Sequence, residues 1–296
     1  MPNTSFIKRK LQIRLTLAKG SFSAGGNSKV IDNLAMKASV EKLGPPDFSK
    51  ASVEIYGMPL DEMAQLTSLS SWPLKTSRNY INIYAGDDVQ GMSEIFAGSI
   101  VSANADYSGC PEHKLVIDAE VGFWGRVMPQ GPGVINGTMS LASFVKKQAD
   151  AAGMTFSNEG VNATLKNCVF SGSPVNQARQ AAEQMGVDLL IDDDEMVLIP
   201  RQGARRGNAV LLAPDSGLLG FPTFTSDGVE CKSIFNPAFR FAGLFVLETV
   251  VPKAKGTWRC IKLNHSLSAN MPGDGAWEST VTGYYPALSG AVGKLI

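Results

Sequence analysis

The sequence predicts a mainly β protein interrupted by one α+β module, and three observations predict it. Leu11, Ile13, Leu15 and Leu17 alternate with Gln12, Arg14, Thr16 and Ala18, the period of a strand with one buried face. In the middle of the chain the apolar spacing changes to that of helices, each helix closed by a glycine and followed by a strand. From Ser216 onward, short runs rich in Val, Ile, Phe, Trp and Thr return, bounded by Gly, Pro, Asn and Asp.

Taken in order, the first segment, residues 1–130, reads as an all-β domain with one short helix. Leu34, Met36, Ala38 and Val40 repeat the two-residue period after the turn Gly25-Gly26-Asn27-Ser28, and Ala51, Val53 and Ile55 repeat it again after Gly44-Pro45-Pro46. Pro59 followed by Asp61 and Glu62 marks a helix start. Strands resume at Tyr80 to Ala85, Ser93 to Ala105 and Leu115 to Glu120, the middle one long enough to bend around a barrel. Residues 131–206 form the α+β module. Ser140 caps a helix whose Leu141, Phe144, Val145, Ala149 and Ala152 share a face, and Gly153 ends it. Ser173 with Pro174 opens a second helix through Met185, closed by Gly186 and followed by the strands Val187 to Ile191 and Met196 to Pro200 around an acidic turn. Residues 207–296 return to β. There Trp277, Val281 and Tyr285 keep one strand phase, which places Trp277 in the core of the last domain.

Composition narrows the function classes. Lys plus Arg equals Asp plus Glu at 27 each, so the chain has no overall field to hold nucleic acid or a membrane surface. Charged residues are 18% of the chain, below the roughly 25% of soluble domains, which suggests a surface covered by neighbours in an assembly. The longest near-continuous apolar stretch, Phe241 to Leu247, is far short of a membrane span, and no hydrophobic block follows the basic Lys8, Arg9 and Lys10. The expectation is a protein made in the cytoplasm and not inserted in a membrane. Cys110, Cys168, Cys231 and Cys260 lie dispersed in apolar or strand-like runs, and all four are expected to be buried, reduced thiols.

Catalytic patterns are weak throughout. The two histidines, His113 and His265, are not placed as partners of any nucleophile, and His265, at the end of a strand, reads as a satisfied core residue. Cys110-x-x-His113 has the spacing of half a zinc site and lacks the second pair. Asp192, Asp193, Asp194 and Glu195 lack the glycine and spaced carboxylates of a calcium loop and read as a solvated hairpin turn. Arg201, Arg205 and Arg206 read as a basic linker, solvated or paired with a neighbouring subunit. Gly131-x-Gly133-x-x-x-Gly137 is out of phase with a dinucleotide fingerprint and reads as a flexible domain junction. Glu112, Glu120 and Glu159 stand in no lysozyme-type context. The expectation is no enzyme, no catalytic, cofactor-binding or metal-binding residues and no cofactor.

The spacing Gly220-x-Pro222-Thr223, Gly228-Val229, Phe235-Asn236-Pro237, Gly243-x-x-Val246-Leu247, Ile261-x-x-x-His265 and Trp277-x-x-x-Val281 resembles the C-terminal part of tailed-bacteriophage baseplate hub proteins, the late control protein D-like family, related in fold to the base of type VI secretion spikes. The resemblance implies two β-barrel-like tube domains plus a small α/β domain, in a homotrimer. Three subunits with two tube-like domains each would adapt a sixfold tail tube to a threefold central spike. The implied partners are the subunit itself, the tail tube protein, the central spike protein, and baseplate wedge or tape-measure proteins. DNA would pass through the channel without specific binding. The implied location is the virion, at the tail tip or baseplate, with the host cytoplasm during assembly. Alternatives are the hub of a type VI secretion or tailocin particle, a cell-wall hydrolase of the tail tip with an unrecognised site, and a carbohydrate-binding tail module.

Overall fold

A computed structural model describes residues 8–22, 25–67, 78–89, 91–109, 113–273 and 275–285. The chain forms two compact units, each drawn from separated segments. The first takes Met1–Val40, Lys50–Glu120 and His265–Glu278; the second takes Glu41–Ser49, Val121–Asn264 and Ser279–Ile296.

The first unit is an antiparallel sheet built from β1 (Arg9–Thr16), β2 (Ser28–Ile31), β3 (Ala35–Lys42), β4 (Lys50–Tyr56), β5 (Tyr80–Asp87), β6 (Gly91–Asp106) and β7 (Lys114–Glu120), in the order β3-β4-β7-β6-β5-β1-β2. The alternation in the sequence becomes a single buried face: Leu11, Ile13, Leu15, Met36, Ala38, Val40, Val53, Ile55, Ile81, Ile83, Leu115 and Ile117 are all buried. The short helix α1 (Leu60–Leu66) adds Met63 and Leu66 to this core, and Lys29 of β2 pairs with its buried Glu62. The long strand β6 shifts register against β5 near Ile83 and against β7 near Ile100, the irregularities that bend a strand of its length. Asn270 closes the unit by donating to the carbonyls of Asp32 and Leu34 at 3.5 and 3.0 Å.

The second unit contains the α+β module. Helix α3 (Leu141–Ala152) starts where the Ser140 hydroxyl accepts the Ser143 N–H at 3.1 Å, and ends at Gly153 with φ of 73°. Helix α4 (Pro174–Gln184) starts in the same way, with Ser173 accepting the Asn176 N–H. A short helix α2 (Phe123–Val127) precedes them. Two small sheets complete the module. Strands β8 (Gly133–Ser140) and β10 (Thr164–Phe170) pair antiparallel, while β12 (Glu195–Pro200) lies antiparallel to β11 (Val187–Asp192) and parallel to β9 (Thr155–Asn158). The junction read as flexible is a strand start: Gly133 opens β8, and the Gln177 side-chain amide, fully buried, donates to the carbonyls of Gly131 and Gly172, both at 2.9 Å. Gly137, at φ of 88°, sits in a bulge where its N–H reaches the Asn167 side chain.

The C-terminal strands run β14 (Leu218–Thr225), β15 (Gly228–Ile234), β18 (Trp277–Tyr284), β17 (Gly256–Ala269), with β16 (Leu244–Leu247) on β17 and β13 (Val210–Leu212) parallel to β16. Their core is Leu212, Val229, Cys231, Phe239, Phe245, Leu247, Trp258, Cys260, Leu263 and Val281. The expectation for Trp277 is corrected. Val281 is fully buried, as the phase of β18 requires, but Trp277 stands at the strand's first residue, half-buried, with the Arg9 guanidinium 5.9 Å from its ring centroid. Among the described tryptophans the buried one is Trp258, whose indole N–H donates to the Ala254 carbonyl at 2.8 Å.

Gly283 of β18 passes directly over this core. A Cβ there would stand 2.5 Å from the Phe245 ring and 2.8 Å from Trp258 Cβ. Gly283→Ala is therefore expected to destabilise the protein by about 1–3 kcal/mol through overpacking, measured as a lower urea midpoint with unchanged slope.

No helix among the described residues is long and apolar enough to cross a membrane.

Candidate functional site

A concentrated, largely buried group of charges lies in the second unit, held together by the end of β3, the β11–β12 hairpin and the segment after β12. Lys42 continues the inward phase of Met36, Ala38 and Val40, so its side chain enters the protein; it is 6% exposed. Its Nζ donates to Asp192 Oδ1 at 2.9 Å and to Asp193 Oδ1 at 2.6 Å. Arg205 meets the same turn, with Nη1 on Asp192 Oδ2 at 2.6 Å and Nη2 on Glu195 Oε2 at 2.8 Å. Each Asp192 oxygen thus faces one cation. Asp193 takes φ of 51°, which aspartate tolerates and which tightens the hairpin. The acidic turn is the expected hairpin, but only Asp194 of its four residues is exposed; of the arginines, Arg205 is consumed within its own chain, while Arg201 is exposed and Arg206, mostly in solvent, lies 3.6 Å from Glu159.

Burial alone would raise the Asp192 carboxyl, but the charges of Lys42 and Arg205 and their hydrogen bonds outweigh it and hold it below the ordinary 3.8. Burial likewise opposes the Lys42 charge, and Asp192 and Asp193 overcome it, leaving its pKa above 10.5. A depressed carboxyl stabilises the fold above its ordinary pKa, and that contribution is lost as pH falls through the folded value. The urea midpoint is therefore expected to hold steady through neutral pH and fall on acidification into the carboxylate range. Asp192→Asn should begin less stable and lose less over that same range. An identical acid limb in the variant would contradict this.

The other sequence candidates are scattered. His265 is 2% exposed in β17, and His113 sets Nε2 at 2.9 Å from the Met58 carbonyl, which makes this nitrogen the proton-bearing one. Cys110, Pro111 and Glu112 lie outside the described residues, and with them half of the Cys110-x-x-His113 spacing. Among the described residues no three His, Cys, Asp or Glu side chains are grouped as a metal site. Cys231 and Cys260 are buried free thiols pushed up by burial to about 12. Cys168 is also free but only partly buried, because the β8–β10 ribbon has a single buried face. Glu159 accepts the Arg206 N–H at 3.3 Å, besides facing that residue's guanidinium.

Exposed apolar side chains gather in two places. On β14, at the end of its sheet among the described residues, Phe221 is 73% and Phe224 52% exposed. Around Gly220 the strand shifts register against β15, which pushes Phe221 outward. On the ribbon, Val134 and Val169 are directly opposed and both exposed. Neither surface could be located from the sequence, since a phenylalanine or valine in a strand reads as core. Large exposed apolar side chains beside a sheet edge are a feature of proteins that work in assemblies.

A sequence model of the baseplate hub gp41 family matches residues 11–271 of the chain. The chain belongs to that family. The baseplate hub fold seen here is also found in solved structures. The tail protein from Neisseria meningitidis MC58 superposes with a TM-score of 0.63 at 9% identity, covering 93% of this chain and 96% of that one. The 43 kDa tail protein of prophage MuSo2 from Shewanella oneidensis gives 0.59 at 11% identity, covering 93% and 97%. The E. coli c3393 protein, described as a component of the type VI secretion system with structural similarity to T4 bacteriophage tail proteins gp27 and gp5, gives 0.55 at 10% identity, covering 86% and 76%. At such identities the likeness is one of fold. No curated protein matches the chain in sequence. The family is a structural one, which places the hub in the phage tail or baseplate.

Proposed function

We propose that this baseplate hub is a non-enzymatic homotrimeric ring about the tail axis, adapting a sixfold tail tube to a threefold central spike. The observation that carries the reading is the family match over residues 11–271. Each chain would supply two barrel-like tube layers, one from residues 1–130 and one from residues 207–296, with residues 131–206 attached between them, so that three chains give six. The partners are then further copies of the chain, the tube protein on one side, the spike on the other and wedge or tape-measure proteins around them, with DNA passing through the channel without sequence-specific contacts. The low charged fraction of 18% and the exposed Phe221, Phe224, Val134 and Val169 support burial in an assembly. Assembly would take place in the host cytoplasm, and the finished site is the virion tail tip. Image reconstruction of the tail tip is expected to show this chain in three copies about the axis; six peripheral copies, or absence from the virion, would overturn the reading.

The likeness to the c3393 protein favours a second reading, the hub of a type VI secretion or tailocin particle. Neighbouring genes for a capsid and packaging machinery would exclude it.

A further inference from the structure

Asn136-Gly137 is the chain's one Asn-Gly dipeptide, and it sits where β8 leaves its ladder. Ile135 pairs with Cys168 and Thr138 with Lys166, so two residues stand opposite Asn167 alone, the arrangement of a bulge. Asn136 is exposed, and its side chain makes no hydrogen bond among the described residues. Gly137 has no Cβ to screen its backbone, and nothing lies within 4 Å of where one would stand. A carboxamide thus lies next to a sterically open backbone nitrogen.

That nitrogen is engaged from the facing strand. Its N–H donates to Asn167 Oδ1 at 2.8 Å. Asn167 is itself exposed and takes φ of 49°, a left-handed conformation that asparagine adopts more readily than most residues. The contact fixes the proton on the one atom whose reaction with Asn136 would close a five-membered ring.

We propose that Asn136 is a site of deamidation and that Asn167 holds the reaction in check. The Gly137 nitrogen gives its proton to hydroxide and attacks Asn136 Cγ; the bond from Cγ to Nδ2 breaks, and that nitrogen takes up a proton and leaves as ammonia. Water then opens the cyclic imide at either carbonyl, leaving an aspartyl or an isoaspartyl residue, with nothing oxidised or reduced. The first step needs the nitrogen stripped of its proton, and a hydrogen bond donated by the neutral amide disfavours the anion, which would face the Asn167 oxygen lone pairs. The product changes a surface. Asn136 follows Val134 on the same side of β8, where Val134 opposes Val169 and both are exposed, so conversion sets a carboxylate beside an apolar pair. The inference concerns the chain itself and does not rest on the hub reading.

The test incubates the full chain at mildly alkaline pH and follows Asn136 by peptide mass mapping, with the urea-unfolded chain as reference. Conversion at Asn136 is expected in the unfolded chain, and more slowly in the folded one. Asn167→Gly suits the positive φ at an exposed position and removes the acceptor. It is expected to speed the folded reaction by about 2- to 10-fold, the worth of one hydrogen bond, with a urea midpoint confirming that the variant is folded. Asn167→Asp keeps an acceptor at the same reach and should react no faster than the unaltered chain. Absence of conversion at Asn136 in the unfolded chain, equal rates folded and unfolded, no acceleration in Asn167→Gly, or an Asn167→Asp rate matching that of Asn167→Gly would overturn the proposal.

Discussion

Lys42→Met is expected to destabilise the protein by about 3–5 kcal/mol, because it removes one cation from a buried cluster and leaves its carboxylates in place. Asp192 would keep Arg205 but lose the charge on its other oxygen, and Asp193 would lose its partner at 2.6 Å. The loss should depend on the carboxylates that remain. In the double variant Lys42→Met with Asp192→Asn, the combined cost is expected to fall short of the sum of the two single costs, since the second change removes the charge that the first had stranded. Urea unfolding of the four proteins measures this directly. Strict additivity would mean that the two side chains act independently.

Trp258→Ala is expected to cost a similar amount, about 3–5 kcal/mol, for a different reason. The ring is 3% exposed and packs with its centroid 4.6 Å from that of Tyr285. Truncation leaves a cavity against Phe245 and strands the Ala254 carbonyl that the indole had satisfied. Trp277→Ala is the control within the same sheet. Half-buried at the start of β18, it should cost only about 1 kcal/mol or less. The reverse ranking of the two tryptophans would mean that the core of the C-terminal strands lies elsewhere.

The two tryptophans also show how far the sequence could be read. Phase along a strand follows from local chemistry, and it correctly predicted the buried faces of β1, β3 and β4 and the interior place of Val281. Phase does not say where a core ends, so Trp277 and Trp258 could not be ranked. The helices of the α+β module were legible because their signals are short-range: Ser140 and Ser173 cap, and Gly153 and Gly186 close. Strand β8 was invisible for the opposite reason. Only Ile135 of its eight residues is buried, so it carries no alternation. The charge cluster was half legible. Lys42 is a lysine on an apolar phase, a local anomaly open to inspection, but its partners lie 150 and 151 residues away, and no local pattern couples positions so distant.

The separations at Lys42 and Asn270 bear on how the polypeptide leaves the ribosome. Lys42 meets Asp192 only after a further 150 residues have been made, about 8–30 s at bacterial elongation speeds. Asn270 reaches Asp32 and Leu34 across 238 and 236 residues, so the first sheet stays incomplete until residue 270 has been made. Through that interval the nascent β1 to β7 strands present an unfinished edge, at which copies on one polysome could cross-pair. A truncation before residue 265 should leave the same edge open permanently and accumulate as aggregate rather than as a shorter soluble domain.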